Sequence, residues 1–584
     1  VWICESCGHQ HCIGSIEEMN SLKTKNSPAP KELHRPYVDD VKLCCTAEGC
    51  SGEMVREPYV MDCWFDSGCA SFAQWHYPFE NKDKFENSFP VDYICEAVDQ
   101  TRGWFYSLLA VSTTVFDSIS YKRCLSLGHI LDNEGKKMSK SKGNVVNPWD
   151  HFNKEGTDAI RWYMTSQSAP WNPMNFDPNG VRETYAKMFL TLWNVHKFHL
   201  DYAILDNFDY NKDFITVDKR NALDRWILSR VSTVAENYHN QYVSWEFHKA
   251  ARELENFVIN DLSNWYVRRS RRRLWDEADS HDKQACQFTL HEVLLTVSKL
   301  MAPVAPYMPD KIHFDLTGTS VHMADWPIGS DLVSKDLPPQ DLDLENRMSI
   351  VRMLAETGRK IRVEAKRRQR LPCKEGWIVG GPDLSEFHSI IAEELNVEKL
   401  TTENNLDRFQ KIEILPNHKV LGAKCRAELP KVLSELSQSE PDVLLSEIKE
   451  GKAKLAGFDI TMEDINIKRV EKEGYAASTF DMEEIGDISL VLDVEITEDL
   501  ISKGLAREIT RRIQSKRKEL DLDLEASISL KVWLEQDSPK LNKEDWEYII
   551  SETRSKPAEL IIGDCDEGMD NFQVEDNKIY FKVD

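Results

Sequence analysis

The stretch "VDYICEAVDQTRGWFYSLLAVSTTVFDSISYKRCLSLGHIL" (residues 91–131) decides the fold of the first third of this chain. The apolar run at 91–98 is predicted to be a buried strand. Residues 102–116 form a run long enough for a helix, and 123–131 are predicted to be a second strand. Strand, helix and strand over this length make a βαβ unit, and such units build parallel sheets. The sequence then changes character. "DNEGKKMSKSKGNVVNP" (132–148) gathers Lys136, Lys137, Lys140 and Lys142 around two serines, with Gly135 and Gly143 at either end. A mobile loop of ammonium and hydroxyl donors at the carboxyl end of a parallel strand suits a polyphosphate, where fixed positive charge meets charge developing on a leaving group. The G-x-x-x-x-G-K-[ST] phosphate loop does not occur here.

The loop stands out because the chain is otherwise acidic, with 98 Asp+Glu against 73 Lys+Arg and a net charge of −25 over 584 residues. That length implies several domains. Hydrophobic content of 41% and charged content of 29% are ordinary for globular protein. No run reaches the ~18–20 apolar residues that would span a bilayer, so no membrane partner is expected. The acidic balance argues against a protein that coats nucleic acid, yet local basic stripes leave room for a specific RNA partner. The chain opens "VWICESCGHQ", without Met or signal peptide, and is expected to be part of a longer polypeptide.

Of fourteen cysteines, only Cys4, Cys7, Cys44, Cys45 and Cys50 form a spaced group. Cys4-x-x-Cys7, with a second group about forty residues on, is zinc-ribbon spacing: two knuckles and four thiolates around a tetrahedral Zn²⁺. The second knuckle is irregular. "LCCTAEGCSG" (43–52) offers Cys45-x4-Cys50 or Cys44-x5-Cys50. Cys45 is favoured, while His9, His11 and Cys12 are competing ligands. The alternative is unligated, reduced cysteines. A closed four-thiolate site would be structural. The scattered remainder suits a reducing cytoplasm.

From about 180 to 330 apolar residues recur at i, i+3, i+4 and i+7 through 183–204, 221–242 and 245–275, which predicts a helical bundle. "MAPVAPYMPDKIH" (301–313) carries three prolines and is expected to kink a last helix. Residues 327–343 read as a linker. The remainder mixes helical runs with strands at 488–496, 527–535 and 578–583, an α+β region. "NWYVRRSRRRLW" (264–275) interleaves arginines with aromatic residues. It reads as a solvated helix, as braces of the bundle, or as phosphate contacts to RNA, with Arg268, Arg269 and Arg272 the candidates for the last. Residues 360–370 and 507–518 are further basic stretches.

"KMSKS" (137–141) is similar to the second signature of class I aminoacyl-tRNA synthetases. "DCWFDSG" (62–68), "HYPFEN" (76–81), "DQTRGWFYSLL" (99–109), "KGNVVNP" (142–148), "RWYMTS" (161–166), "DRWILSR" (224–230) and the 264–275 run resemble isoleucyl-tRNA synthetases of the archaeal/eukaryotic-like branch. The resemblance implies a multidomain fold. A zinc-ribbon segment (1–55) returns to the second half of a Rossmann-like α/β catalytic domain (56–180). An all-α anticodon-binding bundle (181–330) and an α+β tRNA-binding region (345–584) follow. It implies ATP-dependent isoleucylation of tRNA(Ile) by a cytoplasmic monomer, with L-isoleucine, ATP and tRNA(Ile) as partners, structural Zn²⁺ on Cys4, Cys7, Cys45 and Cys50, and Mg²⁺ carried with ATP. Lys140 would meet the departing pyrophosphate, assisted by Lys137, Ser139 and Ser141. Glu96, Asp99 and Gln100 would hold the aminoacyl-adenylate, and Trp64 and Trp104 would wall the side-chain pocket. The scattered Cys373, Cys425 and Cys565 imply no second zinc module. Rival readings are a valyl-type or other branched-chain relative, and a non-catalytic zinc-ribbon and helical tRNA-binding module. The family's first signature, His-x-Gly-His, does not occur. "LGHI" (127–130) only imitates it, so this chain alone is expected to lack activity.

Overall fold

The computed structural model describes all residues except 31, 60, 213, 276–279, 329–336, 484, 523–525, 537, 564–568, 575–576 and 584. Cys565 and the centre of the expected linker therefore lie outside the described residues. The chain forms two compact units. The first comprises 1–198, 234–264 and 294–332, the second 199–233, 265–293 and 333–584.

The first unit begins with a small antiparallel sheet, in the order Gln10–His11, Trp2–Cys4, Glu53–Arg56, Leu43–Cys44. Its own core gathers Trp2, Met19, Val41, Leu43 and Met54. The βαβ unit follows. Strand Ile94–Ala97 pairs in parallel with Cys124–Leu127, in register Ile94↔Cys124 to Ala97↔Leu127, and helix Trp104–Phe116 connects them. Phe105 and Leu108 of that helix pack on Ile94.

One expectation needs correction. The second strand does not run unbroken through 123–131. It stops at Leu127, and Ile130–Leu131 pairs instead with Met174–Asn175. The cause is backbone contact at Gly128, whose N–H donates to Pro170 O at 2.9 Å. A Cβ there would lie 2.2 Å from Asn172 O and 2.6 Å from Pro173 N. Only glycine lets the 170–173 segment approach so closely.

The prolines of 301–313 also act differently from a kink. Helix His281–Met301 ends outright and a new helix, Met308–Thr317, starts with Pro309 in its first turn. Proline lacks an N–H and clashes with the preceding turn, so three of them end a helix, whereas the first turn tolerates one. The break is put to use. The Asp158 carboxylate accepts from Tyr307 N and Met308 N, and Arg161 Nε donates to Val304 O at 2.6 Å. Helix Thr157–Ser166 thereby holds the broken segment.

The second unit combines helical stretches with two mixed four-stranded sheets. The first has the order Val397–Glu403, Cys373–Val379, Gly486–Asp493, Tyr475–Met482. The second has the order Ser555–Ile562, Ile528–Leu534, Asn577–Val583, Asp570–Val574. In each, the first pair is parallel. Helix Glu498–Glu519 covers the second sheet, burying Leu505, Ile509 and Ile513 against Leu530 and Val532. The strands expected at 488–496, 527–535 and 578–583 are present as Gly486–Asp493, Ile528–Leu534 and Asn577–Val583.

Candidate functional site

The lysine loop leaves strand Ile130–Leu131 through a tight turn. Asp132 N donates to Lys136 O, Gly135 N donates to Asp132 O, and Leu131 lies opposite Lys137. Gly135 and Gly143 sit at φ +78° and +68°, as a loop turning sharply at both ends requires. Two side chains then fix its shape. Asp132 Oδ1 accepts from Glu134 N at 3.0 Å and Lys136 N at 2.8 Å, and its Oδ2 accepts from Asn144 Nδ2 at 2.7 Å. Asn144 Oδ1 in turn accepts from Ser139 N at 2.9 Å. The Asn144 hydrogen bond, followed by the Lys136 amide, holds the Asp132 carboxyl below its usual range. The hydroxyls of Ser139 and Ser141 lie 3.1 Å apart.

The clasp leaves the cations outward. Lys136 pairs with Glu134, but Lys137, Lys140 and Lys142 are exposed and have no carboxylate within 4 Å among the described residues. In an acidic chain, three unneutralised ammonium groups on one short, braced loop make a ready receptor for phosphate oxygens. Asp132 and Asn144 are the site residues that reading the sequence missed. The available signal was a lone acid closing the strand and an amide just after the second glycine.

The adenylate candidates converge in part. Glu96 lies on strand Ile94–Ala97 beside Ser126 of strand Cys124–Leu127, and it is exposed. Asp99 is exposed, but Gln100 is engaged: its Oε1 accepts from Trp104 N at 2.9 Å, capping helix Trp104–Phe116. Trp64 is 41% exposed and lies over Gly103, where a Cβ would stand 3.0 Å from its Cη2 and 2.5 Å from Gln100 Oε1. Trp104 donates from Nε1 to Ser67 O at 3.0 Å, which ties it to the helix carrying Trp64. Both indoles, Gln100 and Gly103 therefore meet just after the strand carrying Glu96.

The cysteine group closes as Cys4, Cys7, Cys45 and Cys50, with all four sulfurs within 4.8 Å of one another. Strand alternation explains the choice of Cys45. Leu43 points into the small core, so the next residue, Cys44, points away to solvent, and Cys45 turns back in. Cys4 N donates to His9 O and Cys45 N to Gly52 O, closing the two knuckles. The competing ligands are occupied or turned away. His9 Nε2 lies 3.0 Å from Thr46 Oγ1, His11 Nε2 lies 2.9 Å from Glu18, and Cys12 is exposed. The Cys7 amide lowers the Cys4 thiol to about 7. At Cys7 the His9 amide favours the thiolate, but the neighbouring Cys50 thiol and burial oppose it and push Cys7 up to about 12. Four thiolates this close repel one another unless a cation sits among them, so the donor set fits a divalent metal.

The arginine run is sorted by the helix period. Arg269 and Arg273, four apart, face inward. Arg269 is 6% exposed and bonds Glu393 at 2.6 Å and Glu394; Arg273 bonds Asp224 and Asp282. Burial lowers the Arg269 pKa despite these partners. Arg269 is thus a brace, which corrects its expected place among the RNA contacts. Arg268 and Arg272, at 50% and 68% exposure, keep an outward face although each also meets a glutamate, Glu394 and Glu552 respectively.

Residues 1–177 match the family model for "tRNA synthetases class I (I, L, M and V)", and 224–376 match the "Anticodon-binding domain of tRNA ligase". An isoleucine–tRNA ligase of Clostridium acetobutylicum is 40% identical over 541 residues, covering 91% of this chain and 51% of the relative. Isoleucine–tRNA ligase 2 of Bacillus cereus is 40% identical over 539 residues, and the Clostridium novyi ligase 41% over 544, with the same coverage of both chains. The chain spans about half the length of these curated relatives. This likeness runs through both matched regions and most of the chain, and it is to the isoleucine–tRNA ligases of class I tRNA synthetases.

Proposed function

We propose that this chain supplies the lysine-loop half of the activation site, together with the anticodon-binding part, of an enzyme that joins L-isoleucine to tRNA(Ile) at the expense of ATP. The observation that carries the reading is the braced loop with Lys137, Lys140 and Lys142 exposed and unneutralised. In this reading isoleucine's carboxylate attacks the α-phosphate of ATP directly. Catalysis is then positioning plus stabilisation of charge on departing pyrophosphate, with no covalent bond to the enzyme. The Lys140 ammonium meets the pyrophosphate, Lys137 and the hydroxyls of Ser139 and Ser141 assist, and Mg²⁺ travels with ATP. Glu96 and Asp99 face the adenylate. Trp64 forms one wall of the side-chain pocket, and Trp104 and Gln100 hold that wall in place. Zn²⁺ on Cys4, Cys7, Cys45 and Cys50 pins the two knuckles. Arg268 and Arg272 contact tRNA phosphates.

We keep the division at 1–55, 56–180, 181–330 and 345–584 as the functional order of the chain. The archaeal/eukaryotic-like branch rests on sequence pattern alone, and the relatives named above are bacterial. No helix among the described residues is long and apolar enough to cross a membrane; we propose that the enzyme works as a monomer, and that it works in the cytoplasm, where scattered cysteines stay reduced. The test is isoleucine-dependent ATP–pyrophosphate exchange, measured on this chain alone and on the chain joined to a His-x-Gly-His segment of its family. Exchange is expected only with the segment present. Exchange by the chain alone overturns the division of the site.

A further inference from the structure

In the second unit, loop 366–371, helix Glu498–Glu519 and strand Asn577–Val583 enclose a hollow of about 610 Å³. Its floor is aliphatic. Leu505 and Ile579 are 4% and 1% exposed, and Leu371, Ile501 and Val574 lie half-buried around them. Ile496 also lines it and is 44% exposed. None of the described lining residues is aromatic. A volume of this order with an apolar lining is that of a small-molecule site. With no aromatic face to stack on, the floor suits an aliphatic tail and not a planar ring.

The rim is cationic. Loop 366–371 joins helix Leu342–Glu364 to strand Cys373–Val379 and brings Lys366, Arg367, Arg368 and Arg370 to the hollow. The buried Arg362 donates to Arg368 O at 3.1 Å and to Leu371 O at 2.7 Å, so the backbone that carries these side chains is fixed. Glu508, the one acid among the described lining residues, is already neutralised. It accepts from Arg370, from Arg511 at 2.9 Å and from Arg512 at 3.2 Å. Lys366 is exposed and has no ion-pair partner among the described residues. Arg367 donates from Nε to Val494 O at 2.7 Å, and its terminal nitrogens have no partner among the described residues. The terminal pair of a guanidinium matches the two oxygens of a carboxylate.

We propose that this hollow binds the anion of a free fatty acid, its alkyl tail along Leu371, Ile501, Leu505 and Ile579 and its carboxylate on Lys366 and Arg367. An aliphatic floor and a cationic rim, on a protein of net charge −25, are complementary to one amphiphilic anion. Burial of the tail supplies the affinity, and the head fixes its direction. The site stands independently of the tRNA reading above.

The test is equilibrium dialysis of the whole 584-residue chain against radiolabelled octanoate, decanoate and dodecanoate, each below its micellar concentration. About one equivalent is expected to bind, and each lengthening by two methylenes is expected to tighten binding about tenfold. Lys366→Gln is expected to weaken decanoate binding about fivefold. Ile496→Asp lies at an exposed position that spares the core and is expected to weaken it about tenfold. Lys419→Gln makes the same charge change at an exposed lysine of helix His418–Cys425 and should leave binding within about twofold. 1-Decanol, the same tail without the charge, should bind about tenfold more weakly. No saturable binding, equal loss in Lys419→Gln, no loss in either site variant, or equal binding of 1-decanol overturns the site. Cosedimentation with phosphatidylglycerol vesicles that both site variants abolish, in a protein that binds no free decanoate, assigns the hollow to a membrane surface and overturns the fatty acid.

Discussion

Gly128→Ala tests how the lysine loop is carried. The added methyl would stand 2.2 Å from Asn172 O, 2.3 Å from Asn172 C and 2.6 Å from Pro173 N. Ordinary carbon–oxygen contact needs about 3.4 Å, so one of two backbone segments must retreat by about 1 Å. Neither is a flexible side-chain tip. Retreat strains three hydrogen bonds of 2.9 Å that stitch the segments together: Gly128 N to Pro170 O, Met174 N to His129 O, and Phe176 N to Leu131 O. At about 1 kcal/mol each, loss of the three bonds sets the local cost at about 3 kcal/mol. Amide hydrogen exchange at Met174 and Phe176 should then accelerate about a hundredfold. Gly422→Ala is the matched control. It lies in helix His418–Cys425 with nothing within 4 Å of the new methyl, and it should stabilise by up to about 1 kcal/mol. Unchanged exchange in Gly128→Ala, or equal behaviour of the two variants, would refute the reasoning.

Three further outcomes are expected. The purified chain should hold about one equivalent of zinc, lost in Cys45→Ser and kept in Cys44→Ser and Cys12→Ser, as read by elemental analysis. Glu394→Ala removes the partner that Arg268 and Arg269 share, leaves a buried guanidinium short of charge, and should lower stability by about 3 kcal/mol in denaturant titration. His291, stacked on Tyr210, is held down to about 4 by burial against an ordinary 6.5. The unfolded chain therefore binds the extra proton between those values, so stability should fall as pH drops from 6.5 to about 4 and level off below. His291→Phe should remove that part of the slope.

Local pattern made the parallel strand pair, its connecting helix, the cysteine knuckles and the lysine loop legible, because each is encoded within a few dozen consecutive residues. Cys45 could be favoured over Cys44 from sequence, but strand alternation against a buried Leu43 gives the reason. The break at Gly128 was not legible. It depends on a segment 44 residues further on, and no periodicity reports which backbone will approach a glycine. Arg269 misled for the same reason, since its glutamate partners lie more than 120 residues away. Gln100 looked like a ligand-facing amide, and its Oε1 is the atom that a helix N-terminus engages. The Asp132–Asn144 clasp was within reach, yet a pair of polar residues twelve apart carries no distance information until the loop closes.

The central claim is that Lys140 meets the charge on departing pyrophosphate. The direct measurement is isoleucine-dependent ATP–pyrophosphate exchange with Lys140→Ala, in a polypeptide that joins this chain to the His-x-Gly-His segment, alongside tRNA(Ile) affinity. The account predicts a loss of about 10²–10³ in exchange rate with tRNA affinity unchanged. Full exchange activity in Lys140→Ala would contradict it.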